Sequence, residues 1–153
     1  MLRCRTLPEV VADMVRLQRL TGCRPADLCI MRPCDIDRSG EIWQYRPSSH
    51  KLEHRGRERL IFVGPQGQEI LLRYLARDPV AYCFRPCDSE SKRRAAAHDD
   101  RKTPISCGNR PGTNRRRMPK QKPGQQYKVD AYRVQSSQLQ RMRLWRKFTT
   151  ACR

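Results

Sequence analysis

Hydrophobic residues near the start of the chain recur at helical spacing. They follow Pro8 and occupy positions Val10, Val11, Met14, Val15, Leu17 and Leu20. This pattern predicts a helix with one apolar face. Gly22 is placed to end it, because glycine readily adopts the left-handed conformation of a helix terminus. A second, short helix is predicted from Pro25, since proline fits a first helical turn, and Asp27 in that turn favours the helix dipole.

The next segments predict a β-hairpin and a third helix. Residues 41–45 alternate in polarity as a half-buried strand does, and residues 59–63 have the composition of a second strand. The polar residues 48–58 are the expected connection between them. Gly64 and Pro65 end the second strand, and the apolar pattern after them predicts a helix to about Arg77. The predicted fold class is therefore α+β, with helices and a small antiparallel hairpin or sheet.

Hydrophobic periodicity stops after residue 84. Proline, glycine, serine, asparagine and basic residues dominate residues 85–128, and such a segment buries too little apolar surface to offset the entropy of ordering it. We expect a loop or disordered arm there, in which only residues 89–98 suggest a short helix. Residues 129–153 contain enough apolar side chains for one degenerate terminal helix. The sequence thus divides into a folded domain over residues 1–84, a basic arm and a terminal segment.

The charge of the chain points to a polyanionic partner. Lys and Arg number 33 against 15 Asp and Glu, which gives a net charge of +18. The three segments carry +4, +9 and +5 in chain order, so the excess is greatest in the arm. Nucleic acid is the partner that such a field favours. No apolar run approaches the roughly 20 residues of a membrane span, so we expect a cytoplasmic, nucleoid-associated protein without a membrane partner.

A metal site is the first chemical possibility that the cysteines raise. Cys83 and Cys87, with His98 and Cys107 further along, have a spacing that zinc proteins sometimes show. No second paired unit completes a tetrahedral set of ligands. We therefore predict neither a metal nor another cofactor.

Two cationic residues, Arg24 and Lys51, suggest phosphodiester chemistry. Cleavage by a protein hydroxyl requires that the charge on the non-bridging oxygens be neutralised and that the leaving oxygen be protonated. A guanidinium suits the first task, because its planar donors match a phosphate. Arg24 lies at the start of the second predicted helix, where free N–H groups also favour an anion. A lysine suits the second task, and Lys51 lies in the predicted hairpin connection.

The arrangement of these residues resembles the first half of the catalytic domain of tyrosine recombinases, the phage-integrase family that cuts and rejoins DNA. Thr21, Gly22, Arg24 and Asp27 match the family's motif around its first arginine, and Lys51 matches its hairpin lysine. The likeness covers residues 9–86, including the segment 32–37 and the Phe-Arg-Pro element at 84–86. The resemblance implies that Arg24 clamps the phosphate, that Lys51 is the general acid and that Asp27 supports the arginine.

The second half of that active site is missing from the sequence. The family has a His-x-x-Arg box, a later His or Trp and a tyrosine nucleophile, and we find no counterpart. His98 precedes Arg101 at the right interval but falls in the expected arm, and no second arginine box precedes Tyr127 or Tyr132. We expect a truncated recombinase fragment that is inactive alone, with other recombinase protomers as additional partners. The change in composition from Val134 onward also suggests a frameshifted gene.

Further basic residues are expected to contact the DNA backbone. They are Arg55 and Arg57 of the hairpin connection and Arg115, Arg116, Arg117, Lys120 and Lys122 of the arm. Arg59 belongs to the same alternating row as the hairpin arginines, for which a solvated strand face is the competing interpretation. The alternative function is a non-enzymatic basic nucleic-acid-binding protein. In that case the arm supplies the affinity and the match around Arg24 is incidental.

Overall fold

Five α-helices and one three-stranded sheet make up the part of the protein that the computed structural model describes, namely residues 8–49, 58–100, 102 and 123–137. Helix α1 spans Glu9–Thr21 and α2 spans Pro25–Cys29. A 3₁₀ turn over Pro33–Asp35 leads into strand β1, Ile36–Asp37. Strands β2 and β3 are Trp43–Tyr45 and Ile61–Val63. Helix α3 spans Pro65–Leu75, α4 spans Pro86–Asp99, and α5 covers residues 129–137.

The boundary between α1 and α2 agrees with the sequence signals. Gly22 adopts the left-handed conformation with φ 65°, and its N–H donates to the Gln18 carbonyl at 2.9 Å. This contact satisfies one of the carbonyl groups that a helix end leaves free. Pro25 is the first residue of α2. The α+β class is confirmed at this level, with helices and a small antiparallel sheet.

The sheet has the order β1–β2–β3, and both pairs are antiparallel. Tyr45 lies opposite Ile36 on one side and Ile61 on the other. Side chains alternate between the faces of a strand, so Tyr45, Ile61 and Val63 are buried while Phe62 is exposed. The sequence pattern did not predict β1, because two residues are too few to show an alternation.

The core lies between this sheet and helices α1 and α3. Its largest fully buried side chains include Met14, Leu17, Leu28, Tyr45, Leu71 and Phe84. The rings of Tyr74 and Phe84 pack at 4.9 Å between centroids. The thiol of Cys83 is also fully buried, and burial raises its pKa to about 12. Residues 83 and 84 therefore close the core at the end of the segment predicted to be folded.

Helix α4 differs from the irregular arm expected after residue 84. It is longer than the short helix suggested over residues 89–98, and none of its side chains is buried. Ion pairs hold it instead: Glu90 accepts from Arg93 and Arg94 at 2.8 Å each, and Lys92 reaches Glu9 of α1 at 2.7 Å. Such pairs support a helix without apolar periodicity, which explains why the hydrophobic pattern did not reveal it.

The segment 123–137 also belongs to the folded unit. Tyr127 and Tyr132 are 4% and 1% exposed and are part of the core. The Tyr132 hydroxyl donates to Oε1 of Gln18 on α1 at 2.6 Å. The folded unit thus extends past residue 84, because two aromatic side chains from a polar segment contribute to the same core. The central part of the expected arm, residues 103–122, lies outside the described residues.

Gly67 provides a test of the packing between α3 and the sheet. A Cβ at this position would lie 2.8 Å from Cγ1 of Val63 and 3.3 Å from Cδ1 of Leu17, both fully buried. The helix propensity gained on Gly67→Ala is at most about 1 kcal/mol, whereas overpacking a core costs about 1–3 kcal/mol. We expect net destabilisation in urea unfolding followed by circular dichroism. Gly64→Ala is the matched control, since its Cβ would meet no atom within 4 Å; equal stability of the two variants would contradict this packing.

The ion pairs of α4 predict its behaviour in acid. Hydrogen bonds from Arg93 and Arg94 lower the pKa of Glu90 from 4.5 to about 2. A lowered pKa in the folded state means that the stabilisation is present above pH 4.5 and is lost as the pH falls through about 2. We expect amide protection of residues 86–99 in hydrogen exchange to persist at pH 4 and to fall toward pH 2. Glu90→Gln should lower this protection already at pH 7; an unchanged variant would contradict the role of the pairs.

Candidate nucleic-acid interface

The turn between α1 and α2 places Arg24 at the surface. Thr21 Oγ1 donates to the Leu17 carbonyl at 2.8 Å, which fixes the last turn of α1. Cys23 is buried at 3% exposure and anchors the turn to the core. Arg24 then has extended backbone angles, φ −76° and ψ 152°, as expected for a residue before proline. Its side chain is exposed.

The Asp27 carboxylate is the central group beneath this turn. Its Oδ2 accepts the backbone N–H of Arg24 at 3.0 Å and Nε–H of Arg59 at 2.8 Å. The carbonyl oxygen of Asp27 accepts the Tyr45 hydroxyl at 2.6 Å. The residue is only 2% exposed, and a buried carboxylate requires such partners because its charge is costly to remove from water. Asp27 therefore joins the α1–α2 turn to β2 and to the segment that precedes β3.

The contacts of Asp27 change two sequence-based expectations. Asp27 holds the backbone of Arg24, whereas the guanidinium that it binds belongs to Arg59. In addition, its carboxylate occupies the start of α2, where free N–H groups were expected to favour an external anion. Arg59 is thus neither a solvated strand residue nor a free phosphate contact. Sequence reasoning missed this pair because the two residues are 32 positions apart.

The guanidinium of Arg24 remains available for a ligand. In the described ranges it pairs with no carboxylate, whereas Arg16 and Arg59 are paired with Asp13 and Asp27. A guanidinium keeps its charge and presents donors in a planar fork. The turn therefore presents a fixed backbone and an exposed cation that can bind a phosphate or a carboxylate.

The other basic residues of the candidate site lie outside the described residues. These are Lys51, Arg55, Arg57, Arg115, Arg116, Arg117, Lys120 and Lys122. The structure accordingly brings together Arg24 and Asp27 from the predicted catalytic set. The roles of the remaining positions stay predictions.

The last two tyrosines are engaged in the core. The Tyr132 hydroxyl is bound to Gln18, and the Tyr127 hydroxyl lies 2.8 Å from Oγ of Ser89. Burial raises the pKa of both phenols. Their hydroxyl groups are therefore not presented to an external phosphate.

The environment of His98 differs from the irregular arm expected for it. It lies in the last turn of α4, with Nδ1 3.6 Å from Oδ1 of Asp99. Arg101, three residues further on, is outside the described ranges. Among residues that the structure does describe, no group of three or more histidine, cysteine or acidic side chains is arranged to hold a metal ion.

Comparison with known proteins gave no match to a family model, a curated protein or a solved structure. The likeness to tyrosine recombinases therefore stays a prediction from the motif residues. Within the described part of the chain, none of the helices has both the length and the apolar character needed to cross a bilayer.

The pair formed by Asp27 and Arg59 predicts coupled effects on stability. Asp27→Asn leaves a guanidinium that is 24% exposed without its carboxylate, and losing a hydrogen bond to a charged group costs about 1.5–3 kcal/mol. We expect Asp27→Asn and Arg59→Gln each to destabilise the fold in urea titrations. The double variant should lose less than the sum of the two. Strictly additive losses would show that the pair contributes nothing.

Proposed function

We propose that this protein binds DNA through its phosphate backbone and that Arg24 is a phosphate-contacting residue of a partial tyrosine-recombinase catalytic domain. The observation that carries the proposal is that Asp27 binds two different arginines through different groups of those arginines. This carboxylate binds the backbone of Arg24 and the side chain of Arg59. The guanidinium of Arg24 is thereby left exposed on an immobilised turn.

The arrangement suits phosphate binding for an electrostatic reason. A carboxylate bound directly to the guanidinium would compete with a phosphate for the same donors. Here the carboxylate is buried and is neutralised by another arginine, so the charge of Arg24 is not cancelled by it. The net charge of +18 adds a long-range attraction for DNA.

Under this proposal the protein binds DNA but does not cut it on its own. Lys51 is proposed as the general acid by family resemblance, and Asp27 as the residue that positions Arg24. The hydroxyls of Tyr127 and Tyr132 are engaged in the core, and a covalent step requires an accessible nucleophile. Cleavage is therefore expected only when the second half of such an active site is supplied in trans, and it should then depend on Arg24 and Lys51.

Arg24→Ala tests the proposal by fluorescence anisotropy of the full chain with a short DNA duplex at several salt concentrations. Losing one phosphate contact should flatten the slope of log K against log salt by about one unit. We expect roughly tenfold weaker binding, which corresponds to about 1.4 kcal/mol. The affinity of Arg24→Lys should lie between those of the wild type and Arg24→Ala, since an ammonium keeps the charge but lacks the planar fork. The control is Arg38→Ala, an exposed arginine in the turn between β1 and β2.

Two results would contradict the assignment of Arg24. If Arg24→Ala binds like Arg38→Ala, the match around Arg24 is incidental. If neutralising Arg115, Arg116 and Arg117 then flattens the salt dependence, the alternative function applies, namely a non-enzymatic basic nucleic-acid-binding protein whose arm supplies the affinity. A wild-type chain that fails to bind DNA at low salt would overturn both functions.

A further inference from the structure

An open depression of about 350 Å³ lies where the end of α1 meets α5. We refer to it as the junction depression. Its lining consists of Val15, Gln18, Arg19, Gly22, Cys23 and Ser136. It therefore combines residues from α1, from the turn that carries Arg24 and from a helix more than 100 positions later in the chain. Neither the family resemblance nor the sequence pattern points to this surface.

The walls of the junction depression are held in place by contacts already described. The bond from Tyr132 to Gln18 fixes α5 against α1. Gly22 closes α1 in the left-handed conformation, and Cys23 is buried directly after it. The backbone that shapes this surface is thus held by contacts with the core.

One exposed arginine lines the junction depression and two more are close in the chain to its lining residues; we call the three the basic rim. Arg19 is part of the lining, and Arg24 follows the lining residue Cys23. Arg133 precedes Ser136 by three positions, so the two lie on the same face of α5. Across the described ranges, none of the three is paired with a carboxylate.

Several other exposed arginines of the fold are paired with carboxylates, whereas Arg38 and Arg46 are exposed and, in the described ranges, are not. Arg16 pairs with Asp13, Arg73 with Glu9 and Asp13, and Arg93 and Arg94 with Glu90. At the junction depression, Arg19 of the lining and its chain-adjacent rim residues Arg24 and Arg133 carry guanidinium groups without a carboxylate partner in the described ranges.

We propose that the junction depression and its basic rim form a contact surface for a nucleic-acid backbone, so that the DNA path extends from Arg24 across α1 to α5. The inference rests on the proposed function and adds Arg19 and Arg133 as phosphate-contacting residues. Arginine forks match phosphate oxygens, and the side-chain NH2 of Gln18, whose Oε1 accepts from Tyr132, is a donor that suits sugar and phosphate oxygens. A concave surface bordered by positive charge fits a narrow phosphodiester chain better than a flat layer of lipid headgroups.

The test compares two double variants that remove the same charge. Arg19→Ala/Arg133→Ala removes two members of the basic rim, whereas Arg38→Ala/Arg46→Ala removes two exposed arginines that border β1 and β2. Binding of the full chain to a DNA duplex is measured by anisotropy over a range of salt. We expect the rim variant to flatten the salt slope by about two units and the control to change it by much less. All four side chains are exposed, so unchanged thermal melting by circular dichroism confirms that both variants fold.

The outcomes separate this inference from the proposed function. If Arg24→Ala weakens binding while the rim variant behaves like its control, the DNA path does not cross the junction depression and the proposed function stands. If the wild-type chain binds no DNA, both are overturned. Vesicles of phosphatidylserine and phosphatidylcholine provide the third comparison. Vesicle binding that the rim variant loses, while its duplex binding equals that of the control, would assign the surface to a membrane instead.

Discussion

The hydrogen bonds of Asp27 are the interactions on which the structure around the α1–α2 turn depends. A nearly buried negative charge has to find donors within the fold, and Asp27 finds them in three different segments. The Arg24 amide, the Arg59 guanidinium and, through its carbonyl, the Tyr45 hydroxyl converge on this one residue. These bonds constrain how α2 can sit on the sheet. They also decide which of two arginines is exposed.

Local signals were sufficient for the elements around this residue. The helix end at Gly22, the start of α2 at Pro25 and strands β2 and β3 follow from neighbouring residues alone. Strand β1 was missed because it is two residues long. Helix α4 was underestimated because charge pairs rather than apolar periodicity support it. The elements that the sequence predicts well are those determined by local signals or hydrophobic periodicity, and the others depend on charge pairs or are too short to show a pattern.

In the candidate site, too, the sequence predicted the residues of a local motif but not their long-range partners. Arg24 and Asp27 were found from a short motif, and both meet at the expected turn. The partner of Asp27 and the docking of Tyr132 on Gln18 join residues 32 and 114 positions apart. No local pattern in one sequence reveals such pairs, since their geometry arises from packing of the whole fold. The basic rim depends on the same long-range contacts, because α5 brings Arg133 to α1.

The distribution of thiols has a practical consequence for following how the molecule opens. Cys23, Cys29 and Cys83 are almost fully enclosed, whereas Cys34 is exposed. Alkylating reagents react with an accessible thiolate, so among these four thiols Cys34 should be modified first and Cys83 only in molecules that have opened at the core. Mass spectrometry of the alkylated peptides would then time the separation of α1, α3 and the sheet without any engineered cysteine. The natural cysteines thus report in which order parts of the fold become accessible during unfolding.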